Sequence, residues 1–220
     1  MVNNLSKLES EILKYFIKED FKKVRILSDE LFSQAKSLNN KFYMASSYGI
    51  MGYMQYELSN YTKAIDYLLK AVSITQEAER SFIDTGHLAL CYSKINDLES
   101  ANLYVDKAVD AAIKLDHHAA KYDWFNFKGN LLLKQKHYDL AIAWADKSIS
   151  EIPNLIDENR PEIIFYQPYL TKYEIKCELG LKHECNDLNN RLSEFFNLIE
   201  NPVLHVRRDK NKYFELSKDL

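Results

Sequence analysis

One feature constrains this chain more than any other: it repeats itself. Tyr61-Thr62-Lys63-Ala64-Ile65, Leu98-Glu99-Ser100-Ala101-Asn102 and Tyr138-Asp139-Leu140-Ala141-Ile142 align, with their central alanines 37 and 40 residues apart. Seven positions after each alanine stands a small residue, Ala71, Ala108 or Ser148. Twelve before it stands another, Gly52, Ala89 or Gly129. Four after it come Leu68 and Val105, and in the third copy Ala145. A period of this length marks stacked supersecondary units, each too narrow to bury its own apolar stripe.

The spacing inside a copy fits two antiparallel amphipathic helices joined by a short turn. Small residues then lie where two backbones cross closely, and large ones fill the gap to the next pair. The predicted core at the crossings is Gly52, Ala64, Leu68, Ala71, Ala89, Ala101, Ala108, Gly129 and Ala141. Leu58-Ser59-Asn60 and Ile95-Asn96-Asp97 read as turns before second helices, with Asn96 and Glu99 placed as a capping box. Pro153 ends the fourth pair.

Composition agrees with an all-α chain. Five glycines and four prolines in 220 residues are about 4%, a third of ordinary usage, and too few for the hairpins of a sandwich or barrel. An apolar share of 46% excludes wholesale disorder. The 29 basic and 32 acidic residues leave −3 with no stripe of either sign, which argues against a nucleic-acid or membrane-surface partner. The first residues lack the apolar core of a signal peptide, and no apolar run approaches membrane-spanning length. Three cysteines at no ligand-like spacing, Cys91, Cys177 and Cys185, fit a reducing cytoplasm.

The pattern of a small residue at position 8, aromatic or Leu at 17, Ala at 20, large apolar at 24, Ala at 27 and Pro at 32 resembles the tetratricopeptide repeat. Gly52, Tyr61, Ala64, Leu68 and Ala71 carry it in one copy, and Tyr92, Leu98, Ala101, Val105 and Ala108 in the next. Gly129, Tyr138, Ala141 and Pro153 carry it in the third. Position 4, usually Trp, holds Tyr48, Thr85 and Phe125. The long period is similar to that of bacterial regulatory arrays which sense short peptides, the Rap and PlcR-like group. The resemblance implies a right-handed α-solenoid of about five helix pairs plus a C-terminal capping helix. One domain is expected over 1–220, divided into a degenerate unit 1–39, clearer repeats 40–78, 79–117 and 118–157, an irregular unit 158–200 and a cap 201–220. Helices are predicted near 5–18 and 20–38, from Pro161 to about Leu179, near 182–199, and after Asn201-Pro202.

No catalytic set stands out. Glycine-rich phosphate loops, His-Glu-x-x-His and Gly-x-Ser-x-Gly are all missing from the sequence. His117 and His118 are adjacent and diverge by about 100° on a helix, so they share no metal face. His183, Cys185 and Cys177 offer no fourth zinc ligand. The acidic residues Glu9, Glu11, Glu19, Asp20, Asp29 and Glu30 read as a solvated face. No metal and no cofactor are expected, and a non-enzymatic role is.

The resemblance also implies where a partner would lie, since that family lines its concave groove with first-helix positions 2, 5, 9, 12 and 13. Here these are Ser46, Gly49, Tyr53, Tyr56 and Glu57, then Ile83, Gly86, Leu90, Ser93 and Lys94, then Asp123, Asn126, Asn130, Leu133 and Lys134. Asn126 and Asn130, four apart, would hydrogen-bond an extended peptide's main chain, and Tyr53 and Tyr56 would pack an apolar side chain. Lys94 and Lys134 would favour a carboxylate, and Glu57 is counted with them among the partner-binding residues. The expected function is a protein- or peptide-binding module in bacterial signalling or as an adaptor. Two alternatives stand beside it. A Rap-like regulator would act through a glutamine (Gln34, Gln55, Gln76, Gln135 or Gln167). A scaffold would associate with itself as a homodimer through the C-terminal end, at Phe195, Phe196, Leu198 and Ile199 or Val203 and Phe214, although such apolar content more often reads as a cap packed on the last repeat. The basic stretch Arg207–Lys212 reads as a solubilising face.

Overall fold

A computed structural model describes residues 2–74, 78–156, 165–198 and 204–218. Those residues form eleven α-helices and two short 3-10 turns, with no strand among them. The chain divides into two compact units, residues 1–115 and 116–220. The first holds α1 (Val2–Ile17), α2 (Phe21–Ser37), α3 (Lys41–Glu57), α4 (Tyr61–Ile74), α5 (Ala78–Lys94) and α6 (Leu98–Lys114). The second holds α7 (His118–Lys134), α8 (Tyr138–Glu151), α9 (Gln167–Glu178), α10 (Asn186–Leu198) and α11 (Leu204–Ser217). Consecutive helices pair as α1/α2, α3/α4, α5/α6, α7/α8 and α9/α10. Within each unit a pair's first helix also touches the first helix of the next, α1 to α3, α3 to α5 and α7 to α9. This is the all-α helical-repeat architecture that the spacing predicts: five pairs and a terminal helix.

The crossings are made by the predicted residues. Ala64, Leu68, Ala71, Ala89, Ala101, Ala108 and Ala141 are fully buried. A Cβ on Gly52 would lie 2.6 Å from Leu68 Cγ, and one on Gly129 would lie 3.2 Å from the Ala141 carbonyl oxygen. The first contact leaves no room for a methyl group and the second only a tight one, so α3 and α4 approach at glycine distance and α7 and α8 nearly so. Ser148 is fully buried and donates to the Tyr122 carbonyl at 2.8 Å, which satisfies its hydroxyl where the other copies have alanine.

The turns share one geometry. Glu19, Asn39, Ser59, Asn96 and Lys136 all have positive φ, between 51° and 62°. In each case that residue's N–H bonds the carbonyl three back, and the next residue's N–H bonds the carbonyl five back, as in Asp20 to Tyr15 (3.0 Å) and Asn60 to Gln55 (2.8 Å). These are Schellman closures that lead at once into the next helix's N-cap. Asp20 and Asn40 cap α2 and α3 by accepting from Lys23 and Tyr43 N–H. The capping box predicted at Asn96 and Glu99 is displaced by one residue: Asn96 takes the left-handed position (φ 62°), and Asp97 caps α6 by accepting from Ser100 N–H at 3.0 Å. That hydrogen bond holds the Asp97 carboxyl below its ordinary pKa.

The second unit departs from the predicted boundaries. Pro161 lies outside the described residues, and α9 begins at Gln167 with Pro168 in its first turn. Gly180 (φ 72°) closes α9 as predicted, but a 3-10 turn at Lys182–Glu184 delays α10 to Asn186. Phe195 and Phe196, offered as an exposed end patch, are buried among Tyr166, Tyr173, Leu192 and Tyr213. Leu198 (66% exposed) and Phe214 (40%) stay open, while Ile199 and Val203 lie outside the described residues. The supposed solubilising stretch on α11 is partly structural. Asp209 accepts from Tyr166 Oη at 2.6 Å, and Lys212 pairs with Glu174 at 2.6 Å.

Candidate partner-binding surfaces

In the first unit, Tyr53 and Tyr56 sit one turn apart on α3, on the side that meets α5. Sequence reasoning put them on an open face; the structure gives them two neighbours it had missed. Tyr53 Oη donates to Asp84 Oδ1 at 2.5 Å. The His87 ring lies 4.1 Å from the Tyr53 ring at a 38° tilt, and meets Tyr56 edge-on at 6.5 Å. His87 Nδ1 is 2.8 Å from the Ile83 carbonyl oxygen, so Nδ1 carries the proton and donates. Burial lowers the His87 pKa against the weaker raising effect of that bond, and the ring is neutral at pH 7. Asp84 is 1% exposed, and the tyrosine hydroxyl offsets part of the cost of burying its carboxyl group. Asp84 and His87 stand three apart on α5, hence on one face. They were missed because neither occupies a groove position of the repeat family; an Asp-x-x-His step opposite two tyrosines is the signal that could have found them.

Other predicted residues of this unit are less available. Ser46 is fully buried and bonds Glu9, which therefore leaves the solvated face to which the sequence assigned it. Gly49, Gly86 and Ser93 are buried. Glu57 and Lys94 are exposed on the last turns of α3 and α5.

In the second unit, Asn126 and Asn130 do face one way, and they converge on Thr171 of α9. Asn130 Nδ2 donates to the Asn126 carbonyl at 3.1 Å. Thr171 Oγ1 lies 3.2 Å from Asn130 Oδ1, 3.4 Å from Asn126 Oδ1 and 3.2 Å from the Gln167 carbonyl. One hydroxyl hydrogen serves only one of these acceptors at a time. The amides therefore already join α7 to α9, and the Asn126 Nδ2 hydrogens take no partner among the described residues. Leu133 is buried, Lys134 is exposed on the last turn of α7, and Asp123 reaches water. Enough protein surrounds Asp123 that desolvation raises its carboxyl to about 6, against a smaller opposing pull from His117.

Several other reactive side chains have structural partners. His117 caps α7 by accepting from Ala120 N–H at 3.2 Å. His118 meets Glu151 at 2.7 Å, and Lys121 bridges Glu151 (3.3 Å) and Asp116 (2.7 Å), which ties the start of α7 to the end of α8. The Cys91 thiol is buried and pushed up to about 12, far from a nucleophile's range. Among the described residues no three His, Cys, Asp or Glu side chains converge as a metal site would require, and no helix is long and apolar enough to cross a membrane.

Residues 45–77 match the sequence model of the tetratricopeptide repeat. Among solved structures, BtubC (BKLC) from P. vanneervenii is similar over 92% of this chain and 84% of its own, with a TM-score of 0.75 at 18% identity. A structure of nearly identical TPR-like repeats from Podosopora anserina is similar over 87% of this chain and 94% of its own, with a TM-score of 0.68 at 13% identity. MamA is similar over 93% of this chain and all of its own, with a TM-score of 0.56 at 20% identity. The chain thus contains a tetratricopeptide repeat, and its fold is that of tetratricopeptide-repeat proteins.

Proposed function

We propose that the protein is a non-enzymatic polypeptide-binding module whose partner lies on the first helices of its repeats. The observation that carries this reading is the cluster of Tyr53, Tyr56 and His87 over Asp84 in the first unit. Rigid aromatic side chains with fixed polar ends lose little entropy on binding and present both apolar and hydrogen-bonding surface. The Asn126 amide, whose Nδ2 hydrogens take no partner among the described residues, supports a comparable role in the second unit. Glu57, Lys94 and Lys134 would adjust affinity by charge. The finer reading is a cytoplasmic adaptor in bacterial signalling, which rests on the resemblance to long-repeat regulatory arrays.

Peptides selected from a random displayed library, then titrated against the wild type, Tyr53→Ala and Asn130→Ala, test this. Asn130→Ala removes one neutral hydrogen bond and is expected to weaken binding roughly 2- to 13-fold. Tyr53→Ala, which removes aromatic area as well, is expected to cost more. Equal affinity for all three proteins, with losses only from second-helix substitutions, would refute it.

A further inference from the structure

An open cavity of about 330 Å³ lies on the first unit among α2, α3 and α4; it shares no lining residue with the Tyr53 cluster, and its charged side chains stand exposed at its mouth. Three cations border it, Arg25 from α2 and Lys63 and Lys70 from α4, with a single acid, Asp66. Lys63, Asp66, Tyr67 and Lys70 stand at positions i, i+3, i+4 and i+7, so one face of α4 presents them all. From α3 come Met51, buried as a floor, and Gln55 one turn later. Asn60 Nδ2 donates to Gln55 Oε1 at 3.0 Å, which fixes the amide and leaves its NH₂ end as the donor. Lys70 lies 5.5 Å from the Tyr67 ring centroid and 5.8 Å from that of Tyr48, held by cation–π attraction and not by a carboxylate. Arg25 and Lys63, too, form no ion pair among the described residues. The mouth therefore carries a formal +2, with an amide donor beside it and a volume at the lower end of the range for ligand sites.

We propose that this cavity is a site for a phosphomonoester group. Its dianion, carrying about −1.5 to −2 at pH 7, matches the charge of the mouth, whereas a single carboxylate neutralises half of it. A guanidinium donates to two phosphate oxygens side by side, and the ammonium groups and the Gln55 amide supply donors for the third. Free phosphate esters and phosphorylated polypeptides share this chemistry. The site is independent of the Tyr53 cluster and stands or falls separately from it.

The test is calorimetric titration of the full chain with inorganic phosphate, O-phosphoserine, a phosphoserine peptide and the same peptide carrying glutamate. Phosphate-bearing probes are expected to bind, and Arg25→Gln combined with Lys63→Gln to weaken them by about tenfold or more. Asp66→Asn adds one unit to the net positive charge and is expected to tighten binding about twofold or more, an outcome that no unfolded variant could mimic. Lys136→Gln, an exposed charge in the other unit, leaves affinity unchanged. Tighter binding of the peptide than of free phosphoserine identifies a polypeptide source, and equal binding a small ester; either supports the site. No binding of any phosphate probe at about 10 mM (weaker than roughly −3 kcal/mol) overturns it. So does equal binding of the glutamate peptide, or indifference to both the double substitution and Asp66→Asn.

Discussion

Single residues in this protein hold conformations and charge states with measurable consequences. Glu19 has φ 58°, in a region where a side chain with a Cβ is strained by roughly 1–2 kcal/mol. Glycine removes that strain but gives up conformational entropy on folding, so Glu19→Gly is expected to stabilise the protein by about 0.5–1 kcal/mol. The shift in the urea midpoint at unchanged slope measures it. His87 makes the opposite kind of statement. Its folded pKa is depressed below the ordinary imidazole value of about 6.5, so an unfolded chain binds a proton that the folded one refuses. Its stabilising contribution is complete above about pH 6.5 and is lost as pH falls from there toward the folded pKa. Asp123, raised to about 6, acts in the other direction, because its folded form gains a proton first as pH falls. Comparing wild type with His87→Phe across pH 5–7.5 isolates the histidine. Wild type is expected to lose stability relative to the variant only on the acid side, and parallel curves would show that the His87 pKa is not depressed.

At the scale of the helix pair, packing follows small residues at fixed spacing. Gly52 on α3 leaves no room for a methyl group against Leu68 on α4. Gly52→Ala is expected to cost about 1–3 kcal/mol through overpacking. Leu68→Ala, which empties a fully buried site, should cost about 2–5 kcal/mol. Because the new methyl group enters the space that the leucine vacates, the double variant is expected to be more stable than the two losses summed; additive losses would place the strain elsewhere. This level of the fold was legible in the sequence, because a crossing imposes its size limit through local spacing that repeats. The turns were legible only to within a residue. Asn96 and Asp97 are both good caps, and what separates them is which one takes the left-handed conformation. The site was legible for its helices and not for its contacts. Tyr53 could be placed on a face, but its bond to Asp84, 31 residues away, depends on how α3 and α5 rotate against each other. Ser46 and Gly49, read as open lining, are buried by the same packing.

At the scale of the whole molecule, a stack of repeats has an end to close, and α11 does that in the second unit. Its hold is more polar than a simple apolar cap. Tyr213 is buried against Tyr173 and Phe196 while its hydroxyl donates to Asn189 Oδ1 at 2.7 Å. Lys210 Nζ donates to the Phe196 carbonyl at 2.5 Å, and Tyr166 Oη to Asp209 at 2.6 Å. Burial raises the Glu174 carboxyl, and Lys212 opposes that shift by pairing with it. Removing α11 therefore uncovers aromatic rings and at the same time leaves a 7%-exposed carboxylate without its cation. Ending the chain after Leu198 is expected to lower the melting temperature, to raise binding of an apolar dye, and to produce concentration-dependent association as the uncovered rings of Tyr166, Tyr173 and Phe196 find one another. Lys212→Met, which keeps the stem and removes the charge, is expected to destabilise without association, because the aromatic end stays covered. Sedimentation at several concentrations separates the two outcomes. A truncated chain that stays monomeric with unchanged dye binding would mean that α11 covers no apolar surface, and a full-length chain that associates as strongly would point to Leu198 beside the cap and Phe214 on it, both exposed, as the surface that joins two copies.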